Sequence, residues 1–217
     1  MLKVFFVLIK FSSKFEKRHQ ILEICVLCCK MRIKCFSASI KCYEVKGGGY
    51  LSHLIRKATM DDVVQVSNVY VTSVKNTFRG IFSEGYLSKL TSETSYQQWK
   101  RTIENTNNIV LVLEDNQEIV GMIVGAFGDQ EGETSNHGNI LAVYIKPGYK
   151  RKGYGRKLVT ALFEEFKKHD ITKCVAKVFK NNKNKGFFEY VGGVLVDERP
   201  LDEVNIFSMF VYSWDEI

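Results

Sequence analysis

Lys150-Arg151-Lys152-Gly153-Tyr154-Gly155 is the stretch that decides the fold of this chain. An apolar run from Ile140 to Ile145 precedes it and predicts a buried strand. Apolar residues follow it at helical spacing, namely Leu158, Val159, Leu162, Phe163 and Phe166. A glycine turn lets the backbone approach a ligand, and free N–H groups at a helix start favour an anion. Six Lys or Arg lie from 146 to 157, so the stretch predicts a phosphate-binding turn.

Two familiar phosphate motifs are absent from the sequence. The chain has no G-x-x-x-x-G-K-[ST] P-loop, and no G-x-G-x-x-G followed by an acid about 20 residues later. On the glycines alone, a plain strand-to-helix connection stays open. The stretch is close to [Q/R]-x-x-G-x-[G/A], and in this it resembles the GNAT superfamily of acyl-CoA N-acyltransferases. The resemblance implies that residues 150–156, the basic loop, hold the diphosphate of coenzyme A.

The positive charge of the chain belongs to its N-terminal segment. The formal net charge is +7 over 217 residues. Residues 1–53 contain ten Lys or Arg and three acids, whereas residues 54–217 contain twenty-one of each sign. The segment lacks the aromatic interleaving of a nucleic-acid-binding module, and no apolar run is long enough to span a bilayer. We therefore expect neither nucleic acid nor a membrane as a partner.

The cysteines are concentrated in the same segment. Only Cys174 follows the others, which are Cys25, Cys28, Cys29, Cys35 and Cys42. A zinc site would need a second properly spaced pair, and a disulfide framework would need a secretory signal. The apolar stretch after Lys3 ends at Lys10 without a cleavage site. The sequence thus predicts no metal and a reduced, cytoplasmic protein.

Residues 1–50 show no sustained helical or strand period. One interpretation is a disordered extension or targeting arm. The other is a mis-assigned start, because codons for Lys46 and the glycines after it would resemble a ribosome-binding site ahead of Leu51 or Leu54. On either interpretation the domain is expected to comprise residues 51–217.

Regular patterning begins at Leu54. It predicts strands near residues 54–58, 109–113, 119–127, 139–146, 172–179, 194–196 and 207–214. It predicts helices over residues 63–74, 83–103 with a break near Thr91, 154–169 and 182–191. This order indicates an α/β fold. It coincides with the GNAT order over residues 51–217, and the resemblance implies a mixed, mostly antiparallel central sheet with helices on both faces.

The resemblance also implies which groups bind the cofactor. Backbone groups of Val143 and Ile145 would bond the pantetheine arm where the middle strands splay, and amides of the basic loop would hold the diphosphate. Gly153 and Gly155 would keep side chains away from it. The implied set is Val143, Ile145, Lys150, Arg151, Lys152, Gly153, Tyr154, Gly155, Arg156 and Asn181. For Asn181, a simple turn-forming role stays open.

Both positions where the family usually carries its acid and base are changed in this sequence. Asn139 stands where a Glu would act as base, and Phe188 replaces the tyrosine of the F-Y-E-x-x-G segment. Tyr190 lies about 200° further round the helix and is expected to face elsewhere. His137 is a weak candidate base, because it shares a strand face with Asn139 and has a suitable pKa range. Glu131 and Glu133 are weaker still.

The sequence therefore supports two functions of different classes. The first is an N-acetyltransferase that moves an acetyl group from acetyl-CoA to a primary amine of a small molecule. The alternative is a non-catalytic acyl-CoA sensor or subunit with a degenerate site. A homodimer is left open.

Overall fold

The computed structural model describes residues 53–128, 137–200 and 208–217. Seven strands in these residues form one sheet, ordered β1-β2-β3-β4-β5-β7-β6. They are β1 (His53–Lys57), β2 (Asn108–Asp115), β3 (Glu118–Phe127), β4 (His137–Ile145), β5 (Lys173–Phe179), β6 (Val194–Pro200) and β7 (Ser208–Trp214). Every neighbouring pair is antiparallel except β4 and β5. This confirms the predicted mixed, mostly antiparallel sheet.

The helices are α1 (Val63–Phe78), α2 (Glu84–Lys89), α3 (Ser92–Glu104), α4 (Tyr154–Lys167) and α5 (Gly186–Tyr190). The predicted break near Thr91 separates α2 from α3, where the Thr91 side chain accepts a hydrogen bond from the Thr94 amide. The prediction for α5 was wrong over its first turn. The Asn182 side chain accepts from the Asn184 amide at 2.8 Å, and this local bond favours a turn over a helix there.

Helices cover both faces of the sheet, as predicted. The apolar stripe of α4, which includes Leu158, Leu162 and Phe166, packs on one face. On the other face, Val66 and Val69 of α1 and Trp99 of α3 pack against β2 and β3. The apolar periodicity of α1 and α4 thus corresponds to two separate cores.

A one-residue bulge divides β4 into two halves. The β3–β4 register passes from Val124↔Ala142 to Gly125↔Ile140, which leaves Leu141 without a partner in β3. Leu141 is 42% exposed. Because side chains alternate along a strand, the extra residue reverses the alternation beyond it. Ile140 and Val143 consequently both contact the core on the α4 side.

An ion pair fixes the start of α1 against β1. The two terminal guanidinium nitrogens of Arg56 donate to the two carboxylate oxygens of Asp62, at 2.7 and 2.9 Å, and the Thr59 amide donates to Asp62 at 2.7 Å. Burial acts to raise the pKa of Asp62, but the bonds from Arg56 and Thr59 outweigh it and hold the pKa below its usual value. The fold is therefore stabilised by the ionised carboxylate.

We expect Asp62→Asn to destabilise the domain by about 2 kcal/mol at pH 7, the range for hydrogen bonds to charged groups. The carboxylate contributes fully above its unfolded-state pKa of about 3.9, and the contribution disappears as pH falls through the lower folded-state pKa. Urea titrations at pH 7 and pH 3 should show the difference from the native chain shrinking in acid. Asp215→Asn, at an exposed position, serves as control. An equal difference at both pH values would contradict this assignment.

The N-terminal segment 1–50, the five cysteines within it and the loop residues Glu131 and Glu133 lie outside the described residues. The proposed boundary at residue 51 therefore stays a prediction. A chain beginning at Leu51 should melt cooperatively within a few degrees of the full chain, because terminal segments usually add little to the free energy of unfolding. Calorimetry of both chains measures this directly. Loss of the cooperative transition on truncation would show that the segment belongs to the domain.

Candidate active site

Strands β4 and β5 pair only along their first halves. Their parallel pairing runs from His137↔Lys173 to Ile140↔Ala176 and stops there. Beyond it, residues 141–145 of β4 and 177–179 of β5 diverge. We call the space between them the β4–β5 gap.

Backbone polar groups of β4 face the β4–β5 gap. The Lys146 amide donates to the Val120 carbonyl at 2.9 Å, which makes these opposite residues a hydrogen-bonded pair. In an antiparallel ladder such pairs alternate, so Ala142 and Tyr144 also bond β3. Backbone groups of Val143 and Ile145 then point the other way, into the gap. The Ser73 hydroxyl of α1 donates to the Ile145 carbonyl at 3.0 Å, so helix α1 already bonds one of these groups.

The basic loop follows β4 and ends at the first turn of α4. Arg151 and Gly153 both have left-handed backbones, with φ of 63° and 78°, and Gly153 is the N-cap of α4. Glycine suits this conformation because it has no Cβ, and a Cβ placed there would meet nothing within 4 Å. N–H groups at the start of a helix point outward and can bind an anion, and the basic loop ends in the first turn of α4. Arg156 lies exposed in this turn.

Side chains of the basic loop are only partly available to a ligand. Arg151 and Lys152 are exposed, and Lys152 lies over the Tyr149 ring at 4.9 Å. The Lys150 ammonium instead donates to the Asn76 side chain of α1 at 3.0 Å. Tyr154 is buried, and its hydroxyl donates to Asp115 at 3.0 Å. The Tyr154 side chain is therefore committed to Asp115, and the expected contact of this residue with the cofactor stays a prediction.

Packing between α4 and α5 requires glycine at position 155. A Cβ there would lie 2.8 Å from Cε2 of Phe187 in α5, closer than real side chains approach. The absent side chain thus lets α5 pack against the first turn of α4. The expectation that Gly155 also keeps a side chain away from the diphosphate stays a prediction.

Asn181 lies in the turn after β5, on the opposite side of the β4–β5 gap from the basic loop. Its side chain is exposed, and the Asn182 amide closes the turn by donating to the Phe179 carbonyl at 2.8 Å. The next residues contact the end of α1, where Asn184 donates to the Thr77 hydroxyl at 3.3 Å. Helix α1 therefore contacts both sides of the gap, at Lys150 and at Asn184.

Asn139 and His137 share one face of β4, as predicted. Asn139 is buried and its side-chain amide donates to the Gly128 carbonyl. His137 is half-buried at the first residue of the strand. It lies four residues before Leu141, roughly 13 Å along the strand at 3.3 Å per residue. A base at His137 would thus need a chain of several water molecules to reach the start of the β4–β5 gap.

Phe188 packs within an aromatic cluster. Its ring stacks on Tyr212 with centroids 5.5 Å apart, and Trp214 meets it edge-on at 6.3 Å. The Tyr212 hydroxyl donates to Glu189 at 2.9 Å, and burial together with this bond raises the pKa of Tyr212 to about 12. The Tyr212 hydroxyl is therefore a weak acid, poorly suited to protonate a leaving thiolate. Tyr190 is 67% exposed, so it faces away from this cluster, in line with the helical spacing.

The model of the acetyltransferase (GNAT) family matches residues 71–192, which run from α1 through the β4–β5 gap and the basic loop to α5. This is more than half of the chain. The chain belongs to the GNAT acetyltransferase family.

Among curated relatives, a spermidine N(1)-acetyltransferase of Thermoplasma acidophilum is 28% identical over 151 residues, which cover 66% of this chain and 89% of the relative. An uncharacterized N-acetyltransferase, YuaI of Bacillus subtilis, is 25% identical over 139 residues, 62% of this chain and 76% of the relative. The PaiA N-acetyltransferase of T. acidophilum, solved in complex with coenzyme A, has a TM-score of 0.60 and 25% identity, over 75% of this chain and 98% of that one. YncA of Salmonella typhimurium, a putative acetyltransferase solved with acetyl-CoA, shares the fold at a TM-score of 0.55, with 19% identity over 75% and 93% of the two chains.

Sequence reasoning about the GNAT site missed Tyr144 and Tyr70. Tyr144 belongs to the second half of β4, and its ring meets Tyr70 of α1 edge-on at 5.3 Å. Burial, and secondarily the neighbouring tyrosines, raises the pKa of Tyr144 well above its usual range, and burial also raises that of Tyr70. Both hydroxyls therefore stay protonated near neutral pH. A tyrosine within an apolar strand is the signal that could have revealed them, because a buried hydroxyl usually needs a partner.

Two further properties hold for the described residues of this GNAT domain. No group of three or more His, Cys, Asp or Glu in residues 53–128, 137–200 and 208–217 is arranged to hold a metal ion. Within the same ranges, no helix combines the length and the apolar character that crossing a membrane requires.

Proposed function

We propose that this chain transfers an acetyl group from acetyl-CoA to the primary amine of a small molecule. The observation that carries the proposal is the β4–β5 gap. It presents backbone groups of Val143 and Ile145 on one side and opens beside the basic loop, which ends in the first turn of α4. A pantetheine arm has amide groups that can bond such a strand edge, and a diphosphate suits a helix N-terminus.

The residues of the site have different proposed roles along the β4–β5 gap and the basic loop. Amides from Arg151 to Arg156 would hold the diphosphate, with Arg151, Lys152 and Arg156 exposed to add charge. Lys150 would have to leave Asn76 to join them. Asn181 would contact the cofactor from the far side of the β4–β5 gap. When bound, acetyl-CoA supplies an activated acyl thioester, and the protein must bring a neutral amine to it.

Positioning is the main contribution that this chain can make to catalysis. Asn139 cannot accept the amine proton, because a carboxamide is not a useful base, and its side chain is committed to Gly128. Holding two reactants together can supply about 7–11 kcal/mol of the barrier without any acid or base. His137, acting through a chain of water molecules, is the base that we propose for the remaining proton transfer. The proposal also retains a cytoplasmic location, and a homodimer stays a prediction.

Release of free coenzyme A measures the reaction. We expect thiol release, read with a thiol reagent, when the full chain is mixed with acetyl-CoA and a panel of primary amines. Cys174 should not react in the folded protein, because burial raises the pKa of its thiol to about 12. A control without amine corrects for the cysteines outside the described residues. Folded, cofactor-binding protein without amine-dependent release on a broad panel would overturn the proposal.

Asn139 and Phe188 favour a second candidate function, because a carboxamide is not a useful base and a phenylalanine ring has no hydroxyl. On this alternative the chain binds acyl-CoA without turnover, as a sensor or subunit. The double variant Asn139→Glu with Phe188→Tyr separates the two. Turnover that appears only in the double variant would support the binding function, whereas turnover in the native chain would exclude it.

A further inference from the structure

Six aromatic side chains line the α1 side of the β4–β5 gap. We call them the aromatic wall: Tyr70, Phe78, Phe82, Tyr86, Tyr144 and Phe179. Tyr144 comes from the second half of β4 and Phe179 is the last residue of β5, so the two diverging strands each contribute one ring. Both rings pack against the same cluster beneath α1 and α2. The wall therefore borders the part of the gap where we place the cofactor's pantetheine arm.

The rings of the wall contact one another and leave apolar surface open. Phe78 and Phe82 stack with centroids 4.7 Å apart, and Phe179 meets them edge-on at 6.0 and 5.9 Å. Tyr86 contacts Phe82 at 5.4 Å and is 52% exposed, while Phe82 and Phe179 are half-buried. A flat or aliphatic ligand can cover this surface and remove it from water.

Cationic residues surround the last turns of α1, next to the wall. Lys75 and Arg79 line a shallow pocket of about 120 Å³ with Glu84, Leu87 and Ser88. Leu87 also belongs to the cluster that holds the wall, so the pocket adjoins it. Lys183 donates to the Arg79 carbonyl at 3.4 Å, and Lys150 donates to Asn76 at 3.0 Å. We call Lys75, Arg79, Lys150 and Lys183 the cationic rim.

The charge of the rim and the apolar surface of the wall would act differently on different amines. An acceptor amine must be neutral to attack, but every further amine on the same molecule is an ammonium at neutral pH. Such a charge would lie beside four like charges of the cationic rim, which Glu84 offsets only in part. Burial raises the pKa of both Tyr70 and Tyr144, so these hydroxyls add no counter-charge. An apolar body, by contrast, gains contact with the rings.

We propose that the acceptor is a monoamine with an aromatic or comparably apolar body, selected by Phe82, Tyr86 and Phe179, and that the cationic rim disfavours polyamines. This rests on the proposed acetyl transfer. A preference for apolar monoamines would separate this chain from the T. acidophilum relative, whose name specifies spermidine.

Three amines test the proposal on the full chain with acetyl-CoA. Comparing 2-phenylethylamine with butylamine isolates the aromatic wall, and comparing butylamine with spermidine isolates the cationic rim. We expect kcat/KM, calculated for the neutral form of each amine, to be about tenfold higher for 2-phenylethylamine than for butylamine, the low end for a pocket that recognises apolar groups. Butylamine should exceed spermidine by about threefold or more at low salt, and this ratio should fall as salt screens the rim.

Two variants assign the effects to residues. Phe82→Leu should remove most of the preference for 2-phenylethylamine and leave the butylamine-to-spermidine ratio unchanged. Arg79→Glu should shift that ratio towards spermidine, whereas Lys167→Glu, which changes the net charge equally on α4, should not. The affinity for coenzyme A, measured by calorimetry, should be retained in all three.

The outcomes separate the inference from the function on which it rests. Thiol release that is fastest with spermidine, or that occurs only with a peptide N-terminus, would overturn the inference and leave acetyl transfer standing. Coenzyme A binding without release from any amine would overturn the proposed function itself.

Discussion

Gly155→Val should bind coenzyme A about a hundredfold more weakly than the native chain. A Cβ at this position would lie 2.8 Å from the Phe187 ring, and valine adds two methyl groups to it. Overpacking of this kind costs about 1–3 kcal/mol, and each 1.4 kcal/mol is a factor of ten in affinity. The strain falls on the first turn of α4, whose amides we propose as the diphosphate site. Calorimetric titration with coenzyme A measures the effect.

Two further variants show whether the clash is the cause. Gly148→Ala lies just before the basic loop, where a Cβ would meet nothing within 4 Å, and should bind normally. Gly155→Ala should weaken binding less than valine, and adding Phe187→Leu to it should recover most of the loss, because leucine lacks the ring. Undiminished affinity in Gly155→Val would remove the central argument for this site.

Phe188→Tyr should raise the rate of acetyl transfer by up to about 10²-fold, the low end for a positioned acid. In the native chain the departing thiolate must take its proton from water or from the product amine. Tyrosine restores a hydroxyl on the same ring. Single-turnover kinetics with acetyl-CoA and the best amine of the panel would show the increase in the chemical step.

The opposite result, a slower rate of acetyl transfer, would follow from the packing of Phe188. Its ring stacks on Tyr212 and contacts Trp214, so an added hydroxyl needs space or a partner within that cluster. A slower rate with unchanged coenzyme A affinity would show that the hydroxyl disturbs this packing. It would also show that the thiolate is protonated by another route. Phe188→Leu is the matched control, because it alters the packing without adding a donor.

The order of strands and helices could be predicted because apolar periodicity is a local property. The stripe of Leu158, Leu162 and Phe166 has a helical period, and the β-branched residues of β3 favour a strand by their own propensity. The bulge at Leu141 could not be predicted in this way. Strict alternation of side chains would place Leu141 and Val143 on the same strand face as Asn139. In the structure, Val143 lies on the opposite face from Asn139.

The parts of the site that sequence reasoning missed depend on contacts between distant segments. Gly155 is required by Phe187, thirty-two residues later, and Tyr154 is held by Asp115 on the β2–β3 hairpin. The aromatic wall joins α1, the segment before α3, β4 and β5, so no single stretch of sequence contains its pattern. The basic loop was identifiable because its glycines, its charges and its helix start are contiguous.

The divided strand β4 also gives this fold a recognisable hydrogen-exchange pattern. Amides of Ala142 and Tyr144 bond β3 and should exchange slowly with deuterium, whereas those of Val143 and Ile145 face the β4–β5 gap and should exchange quickly. Successive residues would thus alternate between protected and unprotected amides over a few positions. A pantetheine arm bound as proposed would protect the second pair and abolish the alternation. Exchange along these four residues would then register cofactor binding even in a variant with no measurable turnover.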